Sequence, residues 1–361
     1  MSKEIKAIAI HLPQFHPIKE NNEWWGNGFT EWTNVSKAKP FFDGHYQPHL
    51  PADLGFYDLR LEEARIAQED LARANGIFGF CYYHYWFNGK RILETPLERK
   101  LKNIKEDFPF MLCWANENWT RVWDGGEKNI LLEQKYSHED DLLHIRELIR
   151  YFKDDRYMKS NGKPVFVIYR PNLFPDIKKT IAIWREEVKV AGFSDIYLGY
   201  ALGEKNQSLL GEGGFDFSYD FQPNFSNRPS SIKNNVFKRY ATALLRKFKW
   251  TIDNRYELFY DYEQFVDLQI NTEFKSKVYP GITPMWDNTA RRKKNYFALH
   301  NSTPQKYAKW LKHIVLNYPW QKMPENYLFI NAWNEWAEGN HLEPCQKWGK
   351  QYLEETYKAL K

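Results

Sequence analysis

Near its carboxyl-terminal end the chain reads Trp333-Asn334-Glu335-Trp336-Ala337-Glu338-Gly339-Asn340-His341-Leu342-Glu343-Pro344. Glu335 and Glu338 are three residues apart. In a continuing strand they would point to opposite faces. If the chain turns helically, their Cβ atoms come within about 5–6 Å. Two carboxylates that close do not both ionise freely, so one pKa rises and that group becomes an acid near neutral pH. An acid beside a base is what making or breaking a glycosidic bond requires. The plainer alternative is a helix amino terminus whose acids suit the dipole.

A second stretch repeats this chemistry: Trp114-Ala115-Asn116-Glu117-Asn118-Trp119-Thr120-Arg121. Asn116 and Glu117 suit sugar hydroxyls, and Trp114 or Trp119 offers a stacking face. The alternative is a polar loop whose tryptophans pack inward. A third stretch opens the chain, with His11, Gln14 and His16 followed by Trp24-Trp25-Gly26 and Phe29-Thr30-Glu31-Trp32. Gly26 and Gly28 permit tight turning and close approach to a ligand. A buried aromatic plug explains the same residues equally well. Tyr82-Tyr83-His84-Tyr85-Trp86-Phe87 forms a fourth cluster, and Trp286-Asp287-Asn288 a fifth. His84 reads as a hydrogen-bonding residue, because no second ligand stands near it at metal-binding spacing.

Eight apolar segments must position these clusters. They are Ile5–His11, Ile77–Tyr83, Pro109–Ala115, Pro164–Arg170, Asp195–Ala201, Phe215–Phe221, Val278–Met285 and Tyr327–Trp333. Most are apolar throughout, as in strands covered on both faces of a parallel sheet. Helical patterns lie between them: Leu61–Asn75 behind a candidate cap at Asp58, a helix opened by Ser137, and one opened by Thr303-Pro304. Strand and helix alternating to eight strands predict an α/β protein, a (β/α)8 TIM barrel. A single catalytic domain over residues 1–361 is expected, with a doubly wound sheet as the alternative. The 65-residue connection 12–76 is a long aromatic-rich loop after strand 1. Every cluster follows a strand, on the face where barrel loops build active sites.

Composition narrows the function further. The chain has 361 residues and a net charge of +5, too small to argue for nucleic acid. Apolar runs are far short of a membrane span. The amino terminus lacks a signal-peptide core, and the odd count of three cysteines suits a reducing compartment, so a cytoplasmic location is expected. Fifteen tryptophans exceed what a core is expected to need, which favours stacking on sugars. No phosphate-binding loop, dinucleotide fingerprint, nucleophile elbow or compact zinc motif occurs, so no metal and no cofactor are expected. Phe237–Trp250 reads as a basic amphipathic helix, and Arg291-Arg292-Lys293-Lys294 as a second basic run. A solvated face is the favoured reading of both. Peripheral contact with an anionic membrane surface, or with a pyrophosphate, is the sharper one.

Taken together, Ile8–His16, Trp24–Trp32, Trp114–Trp119 and Asn334–Pro344 resemble the WbsX-like proteins of bacterial polysaccharide biosynthesis. These share a domain with glycoside hydrolase family 99. The resemblance spans nearly the whole chain. It implies a barrel acting at glycosidic bonds without a metal. The characterised hydrolases of that group are retaining endo-α-mannosidases with two glutamates three apart. Carried over by motif, Glu335 is implied as the base toward the sugar 2-hydroxyl and Glu338 as general acid/base. Those hydrolases have His where this chain has Ala337. The implied function is a glycosyltransferase of lipopolysaccharide, O-antigen or capsular polysaccharide assembly. Alternatives are an endo-α-mannosidase-like hydrolase and a non-catalytic glycan-binding barrel. The implied substrate is an oligosaccharide or lipid-linked glycan, with a nucleotide-sugar donor left open. The expected substrate-binding set is His11, Gln14, Trp24, Trp25, Glu31, Trp32, Tyr83, His84, Trp114, Asn116, Glu117, Trp119, Trp286, Asn334 and Trp336.

Overall fold

The structure is a computed structural model and describes residues 4–121, 126–203, 209–210, 213–232, 258–292 and 296–361. Eight parallel strands close into a barrel: β1 Lys6–His11, β2 Ile77–Phe87, β3 Phe110–Trp114, β4 Lys163–Ile168, β5 Tyr197–Leu202, β6 Phe217–Asp220, β7 in two pieces, Val278–Tyr279 and Gly281–Ile282, and β8 Tyr327–Ile330. All eight correspond to the segments read from the sequence. β7 is split because Pro280 has no N–H to give the ladder. The break lets one strand close the ring. Val278 and Tyr279 pair with β6, while Gly281 and Ile282 pair with Phe329 and Ile330 of β8. Gly281 is required there, since a Cβ would fall on the Asp220 carbonyl.

Helices α1 Glu62–Ala74, α2 Thr95–Lys102, α3 His138–Phe152, α4 Ile177–Val190, α5 Tyr262–Ile270, α6 Pro304–Asn317 and α7 Gln351–Leu360 cover the barrel. The described residues between β5 and β6 contain no helix. Ser137 caps α3 by accepting the Asp140 N–H at 3.1 Å, and Thr303 caps α6 with Pro304 in its first turn. The expected cap at Asp58 is corrected. Leu61 occupies the cap position of α1, and Asp58 instead binds the amide and guanidinium of Arg60. The basic stretch Phe237–Trp250, Lys293 and Lys294 lie outside the described residues.

The barrel interior is aromatic. Tyr219 stacks on Phe329 at 4.2 Å, and Phe80 lies 5.0 Å from Trp333. The inference from tryptophan number is corrected here. Trp32, Trp86, Trp114, Trp184, Trp286, Trp310, Trp333 and Trp336 are buried, so eight of the fifteen belong largely to packing. Indole rings fill wide gaps with little conformational entropy, and this core uses them for that.

Candidate active site

A cavity of about 950 Å³ opens at the carboxyl ends of the strands. Its acidic edge is built by the chain just past β8. Asn334–Glu335 pairs antiparallel with Asn340–His341, so the backbone doubles back over a single 3₁₀ turn, Trp336–Glu338. Gly339 closes that turn at φ +55°, and a Cβ there would press on Asp287 within 2.9 Å. Glu335 and Glu338 therefore stand at the two ends of one turn and both line the cavity.

A third carboxylate joins them. Glu31, the first residue of a short helix, Glu31–Val35, in the connection after β1, accepts the backbone N–H of Ala337 at 2.9 Å. Arg291 donates to Glu338 at 2.5 Å, and its charge acts on Glu31 and Glu335 as well. Burial pushes the Glu335 pKa well above the ordinary carboxylate value, and the Glu338 charge pushes it further. Arg291 and a hydrogen bond with the Tyr83 hydroxyl oppose the shift. Glu335 Oε2 has no hydrogen-bond partner. Glu31 is pushed up to about 7 by burial, against the pull of Arg291 and the Ala337 amide. Burial thus favours the protonated form of Glu335, while Glu338 faces a guanidinium.

The long loop after β1 also positions Arg291. His45 Nδ1 accepts the Phe41 N–H at 2.9 Å, so its Nε2–H faces Asp287 Oδ2 at 2.5 Å. The other Asp287 oxygen accepts from the Thr289 N–H and hydroxyl at 2.9 and 2.6 Å. That caps the turn Asn288–Ala290, whose next residue is Arg291. Glu343 performs a similar task behind Trp336. It accepts from Trp336 Nε1 at 2.6 Å, Gln68 at 2.7 Å and Tyr57 at 2.8 Å, and burial raises its pKa to about 7.

Of the residues expected at the site, Gln14, Trp25, Glu31, Tyr83, Glu117, Trp119, Trp286, Glu335 and Glu338 line the cavity. The others do not form its wall, and each has a packing reason. His11 bonds Gln68 at 3.1 Å, and burial drops its pKa to about 3. His84 faces His144 at 3.0 Å, and burial lowers it to about 3 also. Trp24 packs edge-on against Trp119. Trp32 gives its indole N–H to the Tyr57 carbonyl, and Trp114 gives its own to the Trp86 carbonyl. Asn116 clasps the backbone of Arg170, which in turn pairs with Glu117 at 2.9 Å. Asn334 ties β8 to β1, accepting the Leu12 N–H at 2.7 Å and donating to its carbonyl at 3.1 Å. Trp336 is held by Glu343. Tyr85, Tyr169, Arg170, Arg228 and Arg291 line the cavity without having been read from the sequence as site residues. Among the described residues no cluster of three or more His, Cys, Asp or Glu is placed to hold a metal ion.

A family model described as glycosyltransferase WbsX matches residues 7–356. The chain belongs to the WbsX glycosyltransferase family. That membership places it among carbohydrate-active proteins. Two curated relatives, both uncharacterized proteins WxcX, come from Xanthomonas campestris pv. campestris strains B100 and ATCC 33913. Each is 41% identical over 362 residues, covering 98% of this chain and 49% of the relative. The chain thus spans about half the length of these relatives. Among solved structures, a glycoside hydrolase-like protein superposes with a TM-score of 0.59 at 12% identity, covering 100% of this chain and 95% of the other. The family 99 endo-alpha-mannosidase of Bacteroides thetaiotaomicron superposes at 0.56 with 14% identity, covering 98% and 96%. At such identity these likenesses show the fold. No described helix is long and apolar enough to cross a membrane.

Proposed function

We propose that the protein is a glycosyl-transferring enzyme of bacterial surface-polysaccharide assembly, with Glu335 and Glu338 performing the proton transfers. One observation carries this reading. Two carboxylates at the ends of a single turn face an open cavity, with a proton favoured on one and a guanidinium against the other. Protonation of a glycosidic oxygen needs a proton donor, and activation of a hydroxyl needs an acceptor. The pair holds both at once.

The roles implied by the family resemblance make Glu335 the base and Glu338 the acid. Burial and the nearby Glu338 charge favour the protonated form of Glu335, which is the opposite of that assignment. Glu31 and Tyr83 hold the pair in place. Trp25 and Trp119 supply aromatic faces for sugar rings.

The test is an assay of purified protein with labelled oligosaccharides and candidate sugar donors, read by mass spectrometry. Wild type is expected to yield a glycosylated acceptor, and Glu338→Gln to bind glycan with turnover nearly lost. An unimpaired Glu338→Gln variant overturns the assignment. Product carrying only water-derived hydroxyl makes the protein a hydrolase. Saturable binding without turnover by any donor makes it a glycan-binding barrel.

A further inference from the structure

The cavity is electrically divided. Among the described residues its four carboxylates, Glu31, Glu117, Glu335 and Glu338, come from the segments after β1, β3 and β8. Among the described residues, the wall built after β6 and β7 has Phe225, Arg228, Trp286, Asn288, Arg292 and Phe297 but no carboxylate. Arg170 and Arg291 are each matched to a glutamate of the cavity. Arg228 is not. Its guanidinium lies over the Tyr260 ring, 5.5 Å from the centroid, and no hydrogen bond or ion pair joins it to the described residues. A guanidinium held over a ring by its charge leaves its N–H groups available, and a guanidinium fork can grip phosphate or carboxylate bidentately. A second, independent feature lies in the same wall. Trp286 is 95% buried, and its indole N–H has no acceptor in the structure. Buried donors of this kind ordinarily find one. Indole N–H and guanidinium are donors only. Phe225 joins the two features, packing 5.7 Å from Trp286 and 4.6 Å from Phe297, which itself stacks on Tyr260 at 4.8 Å.

We infer that this wall is an anion subsite, and that the substrate of the cavity carries a phosphate or carboxylate which Arg228 receives, at the wall it shares with Trp286, while its sugar reaches the glutamates. This rests on the proposed glycosyl-transfer reading, and it narrows the substrate to an anionic glycan or a phosphate-activated sugar. Both sources present the same acceptor oxygens. The subsite would also orient the ligand, because the acidic edge repels an anion that the basic wall attracts.

The test is calorimetric titration of the full chain at low ionic strength with sodium pyrophosphate, sodium glucuronate and neutral maltotetraose. Wild type, Arg228→Gln and Arg228→Lys are compared. Arg228 is exposed, so both variants are expected to fold. At least one anion should bind wild type and weaken tenfold or more in Arg228→Gln, with Arg228→Lys intermediate. Pyrophosphate binding assigns a phosphate-activated sugar, and glucuronate binding an acidic glycan. Anion binding unchanged in Arg228→Gln overturns the inference, as does anion binding no stronger than that of the neutral sugar. Turnover lost in Glu338→Gln tests the underlying reading separately and is independent of this outcome.

Discussion

The backbone N–H of Ala337 donates to the carboxylate of Glu31 at 2.9 Å, midway along the turn that separates Glu335 from Glu338. A residue from the first loop is thereby locked between two from the last strand end. The barrel's first and eighth strands are neighbours, so ring closure makes this contact possible. The contact fixes the turn and places a third ionisable group within reach of the pair.

That third group has a signature in stability. Glu31 rises from 4.5 in the unfolded chain to about 7 in the fold. A raised carboxyl favours the fold fully below its unfolded pKa, and the advantage is lost as pH climbs through the folded value. Glu31→Gln keeps an oxygen for Ala337 and removes the titration. Urea midpoints of wild type should therefore fall more steeply than those of Glu31→Gln between pH 5 and 8. The difference in unfolding free energy between the two approaches about 3 kcal/mol at its largest. Parallel curves contradict the prediction.

Arg291 supplies the cluster's counter-charge. Replacing it with Gln should raise the Glu31 titration midpoint above its value of about 7, by roughly one unit or more. Carbon-13 NMR of glutamate-labelled protein reads this directly. A midpoint that stays or falls shows that Arg291 does not control the cluster.

His45 acts at one remove, through Asp287 and the turn leading to Arg291. His45→Ala should leave KM near the wild-type value while kcat drops about 10- to 100-fold, as expected when reacting groups are misplaced by a fraction of an ångström to an ångström. The pH profile should shift with it, because the Arg291–Glu338 pair loosens. A change confined to KM is the contrary result.

Asn334 is predicted to serve the fold. Asn334→Ala strands the buried N–H and C=O of Leu12 and should cost about 2–4 kcal/mol. Denaturant unfolding measures it, and a loss under 1 kcal/mol removes the clip from the account.

Much of this was legible in the sequence, for identifiable reasons. The eight strands announced themselves because both faces are covered, leaving near-continuous apolar runs such as Phe110–Trp114. The caps at Ser137 and Thr303 are local and were readable. β2 runs on to Phe87 because its end pairs with Lys90–Ile92, a hairpin that the aromatic run did not reveal. Trp32, Trp114 and Trp336 looked like sugar platforms because residue type does not say which way an indole faces. Arg291 was legible only as part of a basic run, and Asp287 only as part of a weak cluster. Their roles depend on where loops separated by hundreds of residues meet, which spacing along the chain does not encode.

The account rests most heavily on the Glu335–Glu338 pair meeting a glycosidic linkage. A crystal structure of Glu338→Gln bound to an oligosaccharide tests this most directly. The expected result is a sugar ring stacked on Trp25 or Trp119, with its glycosidic oxygen and a neighbouring hydroxyl within about 3 Å of positions 335 and 338. Saccharide bound only outside the cavity, with both positions out of contact, contradicts the account.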